Sequence, residues 1–385
     1  MHEFTLHMPT KFIFGNGVFR RAGKEVRKFA LKVLILCSSG SVVKFGYLDN
    51  LLNQLETAGV RADVYDKVMP NPRAGMVNTG GRLAKNLHVD AVIGLGGGSA
   101  MDAAKGVAIV AKNGGAIWDY TTANKTVRES LPVICIPTLS ATGSEGNPFG
   151  VITNDETLDK NGFVCRGAQP VLSVIDPRLT MSVPENYLLD GAVDIIAHAS
   201  EAYFSSSEDA VFNDKLSLSL TASVVESLSR ILKDPEDEDA RAAFSWASTV
   251  ALIGINEAGR EGPHTLHVLE HALSGMFDIS HGRGLALLFP KYLEMFKERL
   301  SAKLIPFGKV FDESVYSEDS AIAAFRKWLK SIDRDLFFGD LDIPAGFIPE
   351  LAKSVLRTSA NRHGCIGAPK EMNKSDIEKL YSMCL

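Results

Sequence analysis

The chain has 385 residues, 45% of them hydrophobic and 23% charged, which suits two or three domains of ordinary globular composition. Its net charge of −5, from 41 Lys+Arg against 46 Asp+Glu, gives no electrostatic basis for binding nucleic acid or an anionic membrane. No apolar run reaches the ~18 residues of a membrane helix. The first residues lack a basic-then-apolar leader pattern, and five scattered cysteines without a CxxC point to reduced thiols and a cytoplasmic location.

In chain order, Lys32–Cys37 reads as a buried strand, Leu48–Ala58 as an amphipathic helix and Val60–Tyr65 as a strand. Asp90–Leu95 is a further strand that ends in glycines, and Asp102–Ala111 continues as a small-residue helix. Leu131–Ile136 and Val171–Ile175 are two more strands. Apolar, β-branched runs separated by helical patterns predict a parallel sheet built from βαβ units. After Asp176-Pro177 the pattern turns helical. One helix starts at Pro184-Glu185 and carries Asp194 and His198; Phe212–Leu232 and Ala240–Asn256 are others. The acidic run Asp234 to Asp239 reads as a solvated N-terminal cap for the last of these. The expected architecture is a Rossmann-like α/β N-terminal domain, residues 1–178, followed by an all-α domain, residues 179–385.

Two segments in the first half suggest anion binding. Gly94-Leu95-Gly96-Gly97-Gly98-Ser99 lies between a strand and a helix, where glycines admit a phosphate to the backbone and the helix N-terminus offers free N–H groups. It is neither GxGxxG nor a Walker sequence. Pro137-Thr138-Leu139-Ser140-Ala141-Thr142-Gly143-Ser144-Glu145 supplies hydroxyls at the C-terminal end of another strand, the edge where open parallel sheets bind ligands.

The second half is marked by histidine. Of nine histidines, four fall in the segment 264–281. His264, His267 and His271 share one helix face, and Asp194 and His198 are spaced i, i+4 on another helix. An Asp with several His suits a divalent transition metal with a position left for substrate oxygen. Spacing alone leaves open which of His264, His267 and His271 are ligands. Glu270 and Asp278 are nearby carboxylates, read as solvent-facing or as supports for the ligands.

Taken together, GGGSAMDAAK (96–105), PTLSATGSE (137–145), DIIAH (194–198) and HxxxH followed by His281-Gly282 resemble the iron-containing (group III) alcohol dehydrogenase family. The likeness spans nearly the whole chain and is greatest to its butanol dehydrogenase and NADPH-dependent aldehyde reductase branch. The resemblance implies a dehydroquinate synthase-like fold and a metal site of Asp194, His198, His267 and His281, holding Fe²⁺ or another divalent ion such as Zn²⁺. It implies His271 as a proton relay beside the substrate, and leaves His264 outside the ligand set. It implies cofactor contacts at Gly96, Gly97, Gly98, Ser99, Asp102, Thr138, Thr142 and Ser144, and further ones at Asn71, Lys160 and Leu179. The implied reaction is hydride transfer between a nicotinamide dinucleotide and small aliphatic aldehydes or primary alcohols. A homodimer is implied as well, with the N-terminal segment 4–15 available to pair as a strand across a two-fold axis.

One departure bears on the cofactor. NAD-using members carry an Asp after the first strand, where this chain has Ser39. A serine there accepts a 2′-phosphate that an aspartate would repel, so NADP(H) is expected over NAD(H). Other readings on the same fold are an NAD-dependent polyol or hydroxy-acid dehydrogenase and a dehydroquinate synthase-like lyase. The absence of Lys and Arg from 194–203 and 263–281 disfavours the lyase, which needs basic residues for a phosphorylated substrate. Phe149, Trp118, Phe163 and Phe277 are candidates for an apolar substrate channel.

Overall fold

Six short strands rich in Val, Ile and Leu make one parallel sheet: β1 Lys11–Phe14, β2 Lys32–Leu36, β3 Arg61–Tyr65, β4 Ala91–Gly96, β5 Val133–Pro137 and β8 Leu172–Ile175, ordered β1-β8-β5-β4-β2-β3. In this computed structural model, residues 1–121, 127, 129–206, 210–260 and 262–385 are described. A separate antiparallel hairpin joins β6 Phe149–Thr153 to β7 Lys160–Val164. The helices of two turns or more are α1 Tyr47–Thr57, α2 Ala74–Leu87, α3 Gly98–Asn113, α4 Glu185–Ser205, α5 Val211–Lys233, α6 Glu238–Ala251, α7 Thr265–Phe277, α8 His281–Met295, α9 Lys297–Gly308, α10 Glu318–Ser331, α11 Ile348–Ser359 and α12 Lys374–Ser382.

Alternate residues of each strand enter opposite cores. Leu34, Leu36, Val92, Val133 and Cys135 pack with α2 and α3 on one face; Val33, Ile35, Ile93, Ile134 and Ile136 pack with α1 and the segment around Phe19–Val26 on the other. Burial on both faces is why these strands read as unbroken apolar runs rather than alternating ones. Each fully buried Leu or Ile contributes ~2 kcal/mol of transfer free energy.

The chain forms two compact units. One comprises His7–Pro184 with Arg230–Thr249; the other comprises Met1–Leu6, Glu185–Ser229 and Val250–Leu385. The sequence reading instead breaks the chain once, at 178/179. Besides Met1–Leu6 and a boundary at 184/185, the difference is Arg230–Thr249, which holds most of α6; side-chain bonds fasten α6 to the sheet-bearing unit. Ser140 Oγ donates to Ser245 Oγ at 2.8 Å, Thr249 Oγ1 to Glu145 Oε1 at 2.6 Å, and Arg241 to Thr180 O at 2.9 Å. Helical periodicity carries no sign of such long-range attachments. The acidic run does cap α6: Asp237 Oδ1 accepts from Ala240 N at 2.9 Å.

The five strands read from sequence all form, within a few residues at each end. The β6–β7 hairpin was not anticipated. The N-terminal segment is strand only over Lys11–Phe14, which pairs in parallel with β8 of its own sheet, whereas residues 1–9 are exposed and carry no strand. Among the described residues, no helix is long and apolar enough to cross a membrane. All five cysteines are free, and four are buried.

Candidate metal centre and nucleotide-binding turn

Helix α4 is buried over most of its length because Ala, Ile, Val and Leu occupy nearly every face. Asp194 and His198 lie one turn apart on it, so both side chains leave the helix in the same direction. His267 projects from the first turn of α7. His281 opens α8, which packs along α4. Gly282 permits that approach, since a Cβ there would lie 2.0 Å from the carbonyl oxygen of Asp190.

These elements bring four ligand-type atoms together. Asp194 Oδ1 lies 3.3 Å from His198 Nε2 and 3.8 Å from both His267 Nε2 and His281 Nε2. Donor atoms bound ~2.0–2.2 Å from one metal ion have separations of this size. Asp194 Oδ1 and His267 Nε2 are buried yet make no hydrogen bond, a condition that a cation between them resolves. The residues therefore fit a divalent ion with one carboxylate and three imidazole ligands. The His198 and His267 rings stack with centroids 4.1 Å apart, while the His281 side chain is 20% exposed, so the open side of the group is at His281.

Electrostatics point the same way. Burial alone would raise Asp194, but His198, His267 and His281 outweigh it and hold the carboxyl well below its usual range. Burial, with His267 beside it, keeps His198 neutral by pushing it well down. His267 moves up to about 10: burial opposes the charge, but Glu201 and Asp194 prevail. Asp194 and Glu201, both held ionised, thus supply negative charge to this group of histidines.

Of the remaining histidines, His271 lies beside His281, with ring centroids 5.6 Å apart. Glu270, His271 and His281 form a neighbouring group of possible donors, so His271 flanks the Asp194 group rather than entering it. His264 faces Glu201, its Nδ1 3.6 Å from Oε2. Glu201 was missed in the sequence. It carries a usable signal, being one turn beyond His198 on the same helix face. Its carboxylate meets His267 Nδ1, and Glu270 meets His281 Nδ1. Glu270 is fully buried, which excludes the solvent-facing alternative.

The nucleotide-type residues gather at the C-terminal ends of three adjacent strands, β2, β4 and β5. The chain moves outward from β2 to β3 and then returns past β2 to β4, so the direction of winding reverses between β2 and β4. Open α/β sheets bind ligands at such a switch point. Exposed Ser39 follows β2 there, Gly96–Ser99 follow β4, and Thr138–Ser144 follow β5. Gly96 has φ +148°, and a Cβ at Gly98 would lie 2.6 Å from Thr142 Cγ2. The α3 first turn contains no acid.

Several expected contact residues have their polar atoms bound within the protein. Ser144 Oγ donates to Asp102 Oδ1 at 2.6 Å, Val151 N donates to Asp102 Oδ2 at 2.9 Å, and buried Lys105 Nζ donates to Ser144 Oγ at 2.7 Å. Asp102, in α3, and Ser144 thus lock the helix that follows the glycine turn to the Thr138–Ser144 loop. Thr138 N donates to Gly96 O at 2.9 Å and ties the turn itself to that loop. Lys160 Nζ donates to Asn71 Oδ1 at 2.9 Å, so that pair is also brought together. Leu179 is buried in the core beneath β8. The channel candidates do not behave alike: Phe163 is core with Trp118 packed against it, Phe149 is exposed, and Phe277 packs edge-on to Phe347.

Comparison with known proteins agrees with this chemistry. Residues 9–177 match the family described as iron-containing alcohol dehydrogenase, and residues 188–385 match the C-terminal part of the Fe-containing alcohol dehydrogenase family. The chain is 33% identical to a probable NADH-dependent butanol dehydrogenase 1 of Bacillus subtilis, with both chains fully covered. It is 31% identical to the NADPH-dependent aldehyde reductase YqhD of Escherichia coli, over 92% of this chain and 93% of that one. The crystal structure of an NADH-dependent butanol dehydrogenase A from Thermotoga maritima superposes with a TM-score of 0.93 at 32% identity, covering 100% of this chain and 99% of that one. Together with the parallel sheet, the helical unit and the Asp-His₃ cluster, these matches establish that the chain belongs to the iron-containing alcohol dehydrogenase family.

Proposed function

We propose that the protein is a metal-dependent aldehyde reductase and alcohol dehydrogenase. It transfers hydride between NADP(H) and small aliphatic aldehydes or primary alcohols. The observation that carries this reading is the convergence of Asp194 Oδ1 with three imidazole Nε2 atoms at 3.3–3.8 Å.

When bound, a divalent ion such as Fe²⁺ or Zn²⁺ supplies Lewis-acid polarisation of a carbonyl, and the dinucleotide supplies the hydride. Asp194, His198, His267 and His281 hold the ion, and their burial excludes water on all but the His281 side. His271, beside that open side, exchanges the proton at the substrate oxygen through its imidazole. The Gly96–Gly98 turn and the first N–H groups of α3 seat the pyrophosphate, with Ser99, Thr138 and Thr142 as hydroxyl donors around it. Asp102 and Ser144 keep α3 in register with the Thr138–Ser144 loop, and the Asn71–Lys160 pair lies with the same unit.

The preference for NADP(H) rests on Ser39, an exposed hydroxyl where a carboxylate would repel a 2′-phosphate. We also place the protein in the cytoplasm as a homodimer. Its exposed segment with Phe4, Leu6 and Met8 would be the pairing edge. Sedimentation of the intact chain against one lacking residues 1–8 tests that assembly.

The deciding experiment is anaerobic oxidation of NADPH and NADH with butanal by metal-stripped protein, before and after Fe²⁺ or Zn²⁺ is restored. Metal-dependent turnover, faster with NADPH, is expected. Ser39→Asp should shift the ratio of kcat/KM values toward NADH. Absence of turnover with either metal overturns the reaction, and a wild-type preference for NADH overturns the cofactor assignment.

A further inference from the structure

We propose that Glu201 and Glu270 are positioning residues for the metal, each orienting one ligand imidazole. This rests on the metal reading of the Asp194 cluster. Both carboxylates are buried, and each meets the Nδ1 atom of a different histidine: Glu201 that of His267, Glu270 that of His281. A carboxylate beside Nδ1 accepts a hydrogen bond from Nδ1–H and so fixes the tautomer that keeps its proton there and carries a lone pair on Nε2. The two Nε2 atoms are the ones that face Asp194 Oδ1 at 3.8 Å. His198 has no such support, since its Nδ1 is buried without a hydrogen bond.

Each carboxylate is itself held. Glu201 Oε1 accepts from Leu266 N in the first turn of α7, which ties α4 to the helix that bears His267. A negative charge at that N-terminus is also favoured by the helix dipole. Glu270 Oε2 accepts from Ser274 Oγ at 3.1 Å, one turn along α7. Its other oxygen lies against α8 at Gly284, where a Cβ would come within 2.5 Å of Glu270 Oε1. The glycine three residues after His281 therefore makes the slot that this carboxylate occupies. Two helices supply the supports and two different helix starts carry the supported histidines, so the geometry of the centre is fixed by α4, α7 and α8 jointly.

The test is the Fe²⁺ and Zn²⁺ affinity of the full chain, measured by chelator competition, with the Co²⁺ absorption spectrum as a record of ligand geometry. Glu201→Gln and Glu270→Gln should each weaken binding about 10-fold, and the Leu variants about 100-fold, because glutamine keeps an acceptor oxygen and leucine does not. The Co²⁺ spectrum should change in both Gln variants. Ser274→Ala, which removes a hydrogen bond to Glu270, and Gly284→Ala, which crowds its slot, retain every carboxylate and ligand side chain; they should weaken binding severalfold and guard against variants that fail to fold. Wild-type affinity and spectrum in folded Glu201→Gln and Glu270→Gln would overturn the inference while leaving the metal centre intact. A wild-type chain that binds none of these ions would overturn the metal reading and the inference with it.

Discussion

His271 and His281 are neighbours to which the proposed function gives different tasks, and a single substitution separates the two. His271 lies outside the Asp194 group but beside its open side. His271→Ala should lower kcat at least 100-fold, the usual effect of removing a general acid–base group, while metal content by elemental analysis stays at the wild-type level. Loss of metal in that variant would make His271 a ligand instead. Away from the centre, Glu25 gives a clean pH dependence. Hydrogen bonds from Lys11 and Lys28 hold its carboxyl down at about 2, from its ordinary 4.5. A depressed carboxyl stabilises the fold above the unfolded value, and that stability disappears as pH falls from about 4.5 toward 2. Both lysines are half-exposed, so screening limits the contribution to ~1 kcal/mol. Glu25→Gln should therefore unfold at lower urea concentration than wild type at pH 7, and at the same concentration near pH 2. A difference that persists at pH 2 would assign the loss to packing rather than charge. At this scale the sequence was most informative where spacing is local. Asp194 with His198, and His267 with His271, follow from helical periodicity, and the first pair does converge in the structure. Spacing within α4 puts Glu201 on the face of Asp194 and His198, but its partner His267 is set by α7 beginning opposite it, which that spacing does not encode.

Packing between elements explains why small residues flank the proposed ligands. Gly282→Ala would set a methyl group against the backbone of Asp190, which cannot move aside as a side chain can. The expected cost is on the order of 3 kcal/mol, and it separates α8 from α4, hence His281 from Asp194 and His198. A lowered thermal midpoint together with weakened metal binding is expected; a wild-type midpoint would mean the two helices are not constrained at this point. Further away, Ser317 caps α10 by accepting from Ser320 N at 3.2 Å. Ser317→Ala should cost ~1 kcal/mol in denaturant unfolding and leave metal affinity untouched. Elements with a strong periodic signal were legible before any coordinates: the buried strands β2, β4 and β5, and the long helices α4 and α5. The β6–β7 hairpin was not, because Gly150 and Gly162 interrupt its apolar pattern and its turn lacks a two-residue Asn-Gly signal. The attachment of α6 to the sheet-bearing unit was equally hidden, since Ser140–Ser245 and Glu145–Thr249 join residues about a hundred positions apart.

On the scale of the whole chain, the two expected ligands belong to different units. The Asp194, His198, His267 and His281 group lies in the unit containing Glu185–Ser229 and Val250–Leu385, whereas the Gly96–Ser99 turn and the Thr138–Ser144 loop lie in the unit containing His7–Pro184. A ligand that binds only the folded state stabilises it by about 2.7 kcal/mol at a hundredfold excess over Kd. That stabilisation first suppresses local opening of the segments that hold it. Hydrogen exchange on the intact chain should then resolve two footprints. Zn²⁺ alone should slow exchange in α4, the first turn of α7 and the start of α8, and leave the ends of β4 and β5 unchanged. NADPH alone should slow exchange at the first turn of α3 and across residues 138–144, and leave the start of α8 unchanged. Because the carboxylates behind the metal centre tie α4 to α7 and seat Glu270 against α8, Glu270→Gln should shrink the Zn²⁺ footprint on α8 more than on α4. The NADPH footprint should stay as it is in that variant. Identical footprints for the two ligands in wild type would overturn the proposed assignment of metal and nucleotide to different residues.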